Sequence, residues 1–214
     1  MPLLLCAATP FEIKPVTEWL HREKIDGVDV LLTGVGLTAA TYALTEAVLT
    51  KKPYFILQAG IAGGFDTARP LGSVVSVRSE IIGDLGVKEG GRFRSLFDLN
   101  LLGTDEAPWT GGRLPADDAI LAKAGLPAVD GVSVNEISTD AERIADWQGR
   151  GIGVESMEGA ALHYVALRQN IPFLQIRSLS NFAGERDKSK WVIGAAIARL
   201  NEELQPLLLK FLTT

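Results

Sequence analysis

Residues 153–161 read Gly153-Val154-Glu155-Ser156-Met157-Glu158-Gly159-Ala160-Ala161. Val154 reads as the end of a strand, and a helical pattern of small and apolar residues follows. Ser156 sits where a helix N-cap is wanted, so the pattern predicts a helix over 157–168. Glu158 then falls in the first helical turn, where the helix dipole and the free backbone N–H groups favour an anion. Gly159, Ala160 and Ala161 carry almost no side chain, so this turn can lie close to a sheet or a ligand. A carboxylate at such a junction can accept two hydrogen bonds from a vicinal diol, such as the 2′ and 3′ hydroxyls of a ribose. Alone, the same residues also read as an acid on a solvated helix start. The neighbouring segments decide between the two.

The alternation of strand and helix runs through the chain. Apolar runs at residues 3–8, 28–33, 54–58, 74–82, 127–137, 152–154 and 173–178 predict strands. Residues 15–23, 38–50, 141–147 and 189–209 predict helices, the last with Trp191, Ala195 and Ala198 inward. This order argues an α/β fold, a single domain over residues 1–214 with a central mixed β-sheet flanked by helices. Residues 84–109 are glycine-rich, carry both charge signs and read as an excursion outside the sheet. Ligands in such folds collect beyond the carboxyl ends of the strands. Four stretches fall there: a turn over residues 9–12 carrying Glu12, a glycine-rich turn over 59–64, residues 155–158, and Ser180-Asn181. The glycine-rich turn offers backbone on which a flat ring can rest.

Composition narrows the function. Hydrophobic residues make up 47% and charged residues 22%, a globular, core-forming balance. A net charge of −5 without a basic stretch argues against nucleic acid as a partner. No segment approaches the roughly 20 apolar residues of a membrane span, and the N-terminus has no basic lead, so the protein is expected to be cytoplasmic. The single cysteine, Cys6, lies in an apolar run and reads as a buried thiol. His21 and His163 read as structural, and with Cys6 they make no zinc spacing. Gly34-Val35-Gly36 is only part of a dinucleotide fingerprint, and Gln58 stands where a ribose-binding acid would close the next strand. Neither a metal nor a cofactor is expected.

In combination these stretches are specific. Glu12, Gly34-Val35-Gly36, Ala59-Gly60-Ile61-Ala62-Gly63-Gly64, the run from Val154 to Ala161, and Arg177-Ser178-Leu179-Ser180-Asn181 occur in that order. The chain thereby resembles the purine nucleoside phosphorylase and nucleosidase superfamily over essentially its whole length. Within it, the Val154–Ala161 run, Asp84-Leu85-Gly86, residues 132–138 and Ser180-Asn181 look like the futalosine hydrolase family.

The resemblance implies roles. Glu12 matches the glutamate that activates water. Met157 and Glu158 match the pair that packs under and hydrogen-bonds the ribose. Asn181 matches the leaving-group position, where adenine-releasing nucleosidases carry Asp. Ala62 and Gly63 match backbone beside the base, and the segment with Asn135 and Ile137 matches another base-side stretch. Two departures stand out: Ile61 replaces a Ser common among relatives, and Ser156 is an extra residue before Met157. The resemblance implies hydrolysis of a purine nucleoside, without cofactor, by a homodimer or higher homo-oligomer; residues 84–109 read either as the loop that lines a neighbour's pocket in such an assembly or as a solvated basic loop. An acid at position 12, with no arginine in that turn, repels phosphate and suits water. Adenosine-type nucleosidase, phosphorylase and non-catalytic nucleoside binding stand as alternatives.

Overall fold

A computed structural model describes residues 1–212. In chain order the elements are β1 (Leu3–Ala7), α1 (Pro10–Arg22), β2 (Val28–Leu32), α2 (Leu37–Lys51), β3 (Phe55–Gly64), β4 (Val74–Ile82), β5 (Gly86–Glu89), β6 (Arg92–Ser95), β7 (Leu114–Pro115), α3 (Asp118–Ala124), β8 (Ala128–Ser133), α4 (Ala141–Gly149), β9 (Ile152–Ser156), α5 (Gly159–Gln169), β10 (Phe173–Phe182) and α6 (Ile193–Leu212).

The sheet is mixed and folds back on itself. Strands β2, β1, β3 and β10 lie side by side and parallel. β4 pairs antiparallel with β10, then β8 and β9 follow parallel, and β9 returns antiparallel to the end of β3. The five strands β3, β10, β4, β8 and β9 thus close a ring filled by Ala62, Val75, Val77, Val129, Val154 and Leu179. This closure explains a departure from the sequence reading. Residues 59–64 do not turn; they continue β3, because β10 pairs along one side of them and β9 meets Gly63 and Gly64. Gly64 is needed there, since a Cβ would lie 2.7 Å from Leu179 Cδ2.

Both faces of the parallel strands are covered, which is why β1 is apolar throughout. On one face Leu3, Leu5, Leu57 and Ile176 pack with Ile13 and Val16 of α1 and Leu200, Leu204 and Leu208 of α6. On the other, Leu4, Cys6 and Ile56 pack with Leu44 of α2 and with Leu162 and Val165 of α5. Burial pushes the Cys6 thiol up to about 12. Ala195 and Ala198 are exposed, contrary to the helical reading; Ala196, Ile197 and Leu200 face inward instead, and Ser189 belongs to a short 3-10 turn before α6. The excursion at 84–109 contains a separate hairpin, β5–β6, turned by Gly90 and Gly91, both at positive φ. Among the described residues no helix is long and apolar enough to cross a membrane, and no His, Cys, Asp and Glu cluster could hold a metal ion.

Helix α1 starts at Pro10, before the expected position, because Thr9 caps it and Pro10 suits its first turn. Glu12 therefore sits on a helix rather than in a turn. Pro15, inside α1, has no N–H to give to the preceding turn. The buried amide of Asn201 on α6 takes over there: its Oδ1 accepts from Val16 N–H at 2.9 Å, and its Nδ2 donates to the Glu12 carbonyl at 2.8 Å. Asn201→Leu leaves both backbone groups without these partners, so we expect it to lower stability by roughly 1–3 kcal/mol. Chemical denaturation checks this, and a loss within error would mean that α1 closes its own ladder at Val16.

Candidate active site

Glu12 is held from three directions. Its Oε2 accepts from the Thr9 N–H and the Thr9 hydroxyl, each at 3.0 Å, as the N3 acid of a capping box. Its Oε1 accepts from Ile61 N–H at 3.1 Å. That last contact uses backbone, so Ile61 in place of Ser does not remove it. The carboxylate is buried at the N-terminal turn of α1.

Glu158 is buried as well. The helix predicted over 157–168 begins at Gly159, because β9 runs through Ser156 and the chain bends at Met157. Glu158 is thus the N-cap residue of α5, not part of its first turn. Its Oε1 accepts from Gly36 N–H at 3.0 Å. Gly36 has φ of 93°, which only glycine adopts readily, and this aims its N–H at the site. The Gly34-Val35-Gly36 stretch thus serves a carboxylate.

Arg177 lies beside both acids. Its guanidinium is almost wholly buried, with Nη1 3.6 Å from Glu158 Oε2 and Nη2 donating to Gln58 Oε1 at 3.1 Å. A Cβ at Gly60 would collide with Arg177 Nη1 and lie 2.9 Å from Glu12 Oε1. The missing side chain at Gly60 is what lets the cation and Glu12 approach each other. Sequence reasoning assigned Arg177 and Gln58 no part in this cluster. The available signal is a lone arginine and two glutamines in the buried stretches of β3 and β10.

The other end of the site is built on the β10–β3–β9 register. Asn181 pairs with Gly63, and Gly63 pairs with Glu155. Directly paired residues point to the same face of a sheet, so Asn181 and Glu155 flank a glycine floor. Asn181 Nδ2 lies 3.6 Å from where a Gly63 Cβ would be. Asn181 Oδ1 accepts from the Ser180 hydroxyl at 2.8 Å, and Nδ2 donates to the Phe182 carbonyl at 3.0 Å. Ala62 is buried beside Gly63, and Met157 is half-buried at the bend before α5. The loop after β8 carries Asn135 and Ile137. Asn135 spends its amide and N–H on Asp84, at 3.3 and 2.6 Å, whereas the Ile137 side chain is exposed. Glu155 Oε1 accepts from Ser138 N–H at 3.0 Å and so pins this loop to β9.

Beneath α5 a further polar group was not foreseen. Glu80 on β4 is fully buried, and burial pushes its carboxyl up to about 7, against the opposing pull of Gln175, Arg177 and Ser133. His163 is also fully buried, as a structural histidine would be, and burial pulls it down to about 4. His21 is exposed on α1.

Comparison with known proteins gives the chain a family. Residues 5–213 match the family model of the phosphorylase superfamily. The futalosine hydrolase of Streptomyces coelicolor is 33% identical over 193 residues, covering 88% of this chain and 81% of that protein. A 5′-methylthioadenosine/S-adenosylhomocysteine nucleosidase of Colwellia psychrerythraea is 27% identical over 184 residues, covering 77% and 72%. Among solved structures, a futalosine hydrolase mutant of Helicobacter pylori superposes with a TM-score of 0.80 at 16% identity, over 97% of this chain and 98% of that one. With its ring-closed mixed sheet and a match over nearly its whole length, this chain belongs to the phosphorylase superfamily and is related within it to futalosine hydrolase.

Proposed function

We propose that the protein hydrolyses the N-glycosidic bond of futalosine, releasing hypoxanthine and dehypoxanthine futalosine, in menaquinone biosynthesis. The observation that carries the reading is the pair of buried carboxylates, Glu12 and Glu158, gathered at the Arg177 guanidinium. The 33% identity to a futalosine hydrolase supports the choice of nucleoside.

In this reading Glu12 accepts a proton from water as the water oxygen bonds C1′ and the C1′–N9 bond breaks, while the departing purine takes a proton at N7 from solvent and leaves as neutral hypoxanthine. General-base help of this kind is worth about 10²–10⁴-fold. Glu158 grips the ribose hydroxyls, orients the ring and places negative potential beside the developing oxocarbenium ion. Met157 packs under the sugar. The purine rests along Ala62 and Gly63, with Ile137 and the backbone near Asn135 on its far side. Arg177, the cation beside Glu12, is already engaged by Glu158 and Gln58, so it is poorly disposed to hold a phosphate nucleophile. That favours water.

Asn181 faces N7 and O6. The Phe182 carbonyl and the Ser180 hydroxyl dictate which end of the amide is NH₂ and which is oxygen. Each end keeps capacity for one more bond: the oxygen for N7–H, the NH₂ for O6. We further place the protein in the cytoplasm as a homodimer or higher oligomer, with the β5–β6 hairpin reaching a neighbour's site. There Phe93 and Arg92 are exposed, while Arg94 is engaged by Glu89 and the Asp98 carbonyl.

The deciding experiment incubates the protein with futalosine, inosine and methylthioadenosine, with and without phosphate. We expect hypoxanthine and a free sugar from futalosine, with no acceleration by phosphate. A sugar 1-phosphate would make the protein a phosphorylase, and adenine release from methylthioadenosine in preference would make it an adenosine-type nucleosidase. Glu12→Gln should lower kcat by at least about 10²-fold while nucleoside affinity holds; a variant retaining a tenth of wild-type turnover would remove Glu12 as the base. Against matched 6-amino nucleosides, wild type should favour the 6-oxopurine by roughly five- to 150-fold, the worth of one buried unpaired donor. Asn181→Asp should shift that ratio toward adenine, with lower total activity because a carboxylate oxygen then faces the Phe182 carbonyl. The ratio of kcat/KM on futalosine and its 6-amino analogue measures this, and no shift would mean that Asn181 does not read position 6.

A further inference from the structure

An acid at a helix N-cap ordinarily turns its carboxylate back onto the N–H of the second or third helical residue. Glu158 occupies that place on α5 and does not do so. Its carboxylate reaches away from the helix, to Gly36 N–H and Arg177. The donors of the first turn are already occupied, the third of them, Ala161 N–H, by the Glu158 carbonyl at 3.0 Å. Gly159 N–H donates to Ser156 Oγ at 3.3 Å. Ala160 N–H, the second helical donor, goes to Ser133 Oγ at 2.8 Å.

Ser133 is itself oriented. Its hydroxyl proton goes to Glu80 Oε2 at 3.0 Å, which turns a lone pair toward Ala160. Glu80 Oε1 accepts from Gln175 Nε2 at 3.0 Å. Glycines make room for this carboxylate. A Cβ at Gly159 would strike Glu80 Oε1, and one at Gly131 would lie 2.6 Å from it. Glu80, Ser133 and the first turn of α5 are thus fitted together one residue away from Glu158.

We propose that Ser133, oriented by Glu80, is a surrogate cap for α5, and that both are positioning residues which keep the Glu158 carboxylate out of its own helix and turned toward the ribose diol. The inference rests on the reading of Glu158 as the diol partner. Without the surrogate cap, the Ala160 N–H is left unpaired beside a carboxylate that can reach it. The two destinations of Glu158, helix cap and sugar, then compete.

Two measurements test this. The first is a crystal structure of Ser133→Ala. We expect the Glu158 carboxylate to turn from Gly36 toward Ala160 N–H; an unmoved carboxylate overturns the proposal, whatever the substrate. The second is kcat/KM on the nucleoside that wild type cleaves, futalosine or methylthioadenosine, and on its 2′-deoxy counterpart. Using whichever one is cleaved separates this inference from the choice of substrate. The 2′-deoxy compound lacks a hydroxyl that Glu158 grips, so the ratio of the two reports where Glu158 stands. Ser133→Ala and Glu80→Leu should lower the ribonucleoside value by up to about 100-fold, the scale for a misplaced positioning group, and the 2′-deoxy value less, because there Glu158 has only the 3′ hydroxyl to hold. Equal losses on both compounds, or none, would reduce the pair to ordinary packing. Glu80→Gln should preserve the ratio, because its amide oxygen still accepts from Ser133, and Gln175, whose Oε1 has no partner, can turn to accept from the new NH₂. In a Glu158→Ala background Ser133→Ala should have no further effect on the ribonucleoside; a persisting loss would overturn the assignment.

Discussion

A guanidinium buried at the junction of the parallel strands sets the terms for the whole site. Arg177 cannot leave the interior, and a charge there is tolerable only if anions and acceptors meet it. Gln58 and Glu158 do so, and Glu12 approaches from the side left open by Gly60. Two carboxylates brought this close would repel each other without the cation beside them. Removing one partner of such a buried pair typically costs about 3–5 kcal/mol. The same arrangement that balances charge also gathers two buried carboxylates around one cation.

Around that balance the backbone is used as a set of donors. Glu12 takes the N–H groups of Thr9 and Ile61, and Glu158 takes that of Gly36. Each aligned amide removes a rotameric choice from a side chain that must act in one position. Serines fill the places that the acids leave vacant, with Ser156 and Ser133 satisfying the first two donors of α5. Ser156, the extra residue relative to the adenosine-type pattern, thereby has a definite task, and Glu155 has another in fixing the loop at Ser138. The Asn201 bridge extends the same economy to α1, where an amide from α6 repairs the ladder that Pro15 interrupts directly behind Glu12.

The elements that sequence reading misplaced share a cause. Residues 59–64 look like a turn because glycines cluster there, yet they remain strand, since β9 and β10 supply partners from far along the chain. Ser156 looks like a cap in position, and it does accept from Gly159 N–H, but pairing with β8 and β3 carries the strand past Val154 and delays the helix to Gly159. The capping box at Thr9 and Glu12 was fully local and present in the sequence. The sequence reading starts this helix at Pro15 instead, and the amide that lets the helix run through Pro15 lies near the other end of the chain.

The sequence by itself determined the class of fold, the strand-then-helix alternation, the absence of a basic surface stretch, and the acids and amide that end up at the strand ends. These follow from hydrophobic period, turn chemistry and residue type, all of which are local. Only the tertiary structure decided what those groups face. Closure of the β3–β10–β4–β8–β9 ring brings Glu80, Ser133 and Gln175 under the start of α5 and sets Asn181 and Glu155 on either side of Gly63. A side chain's charge is written in the sequence. Its partner is chosen by strand register, and register is a property of two distant segments at once.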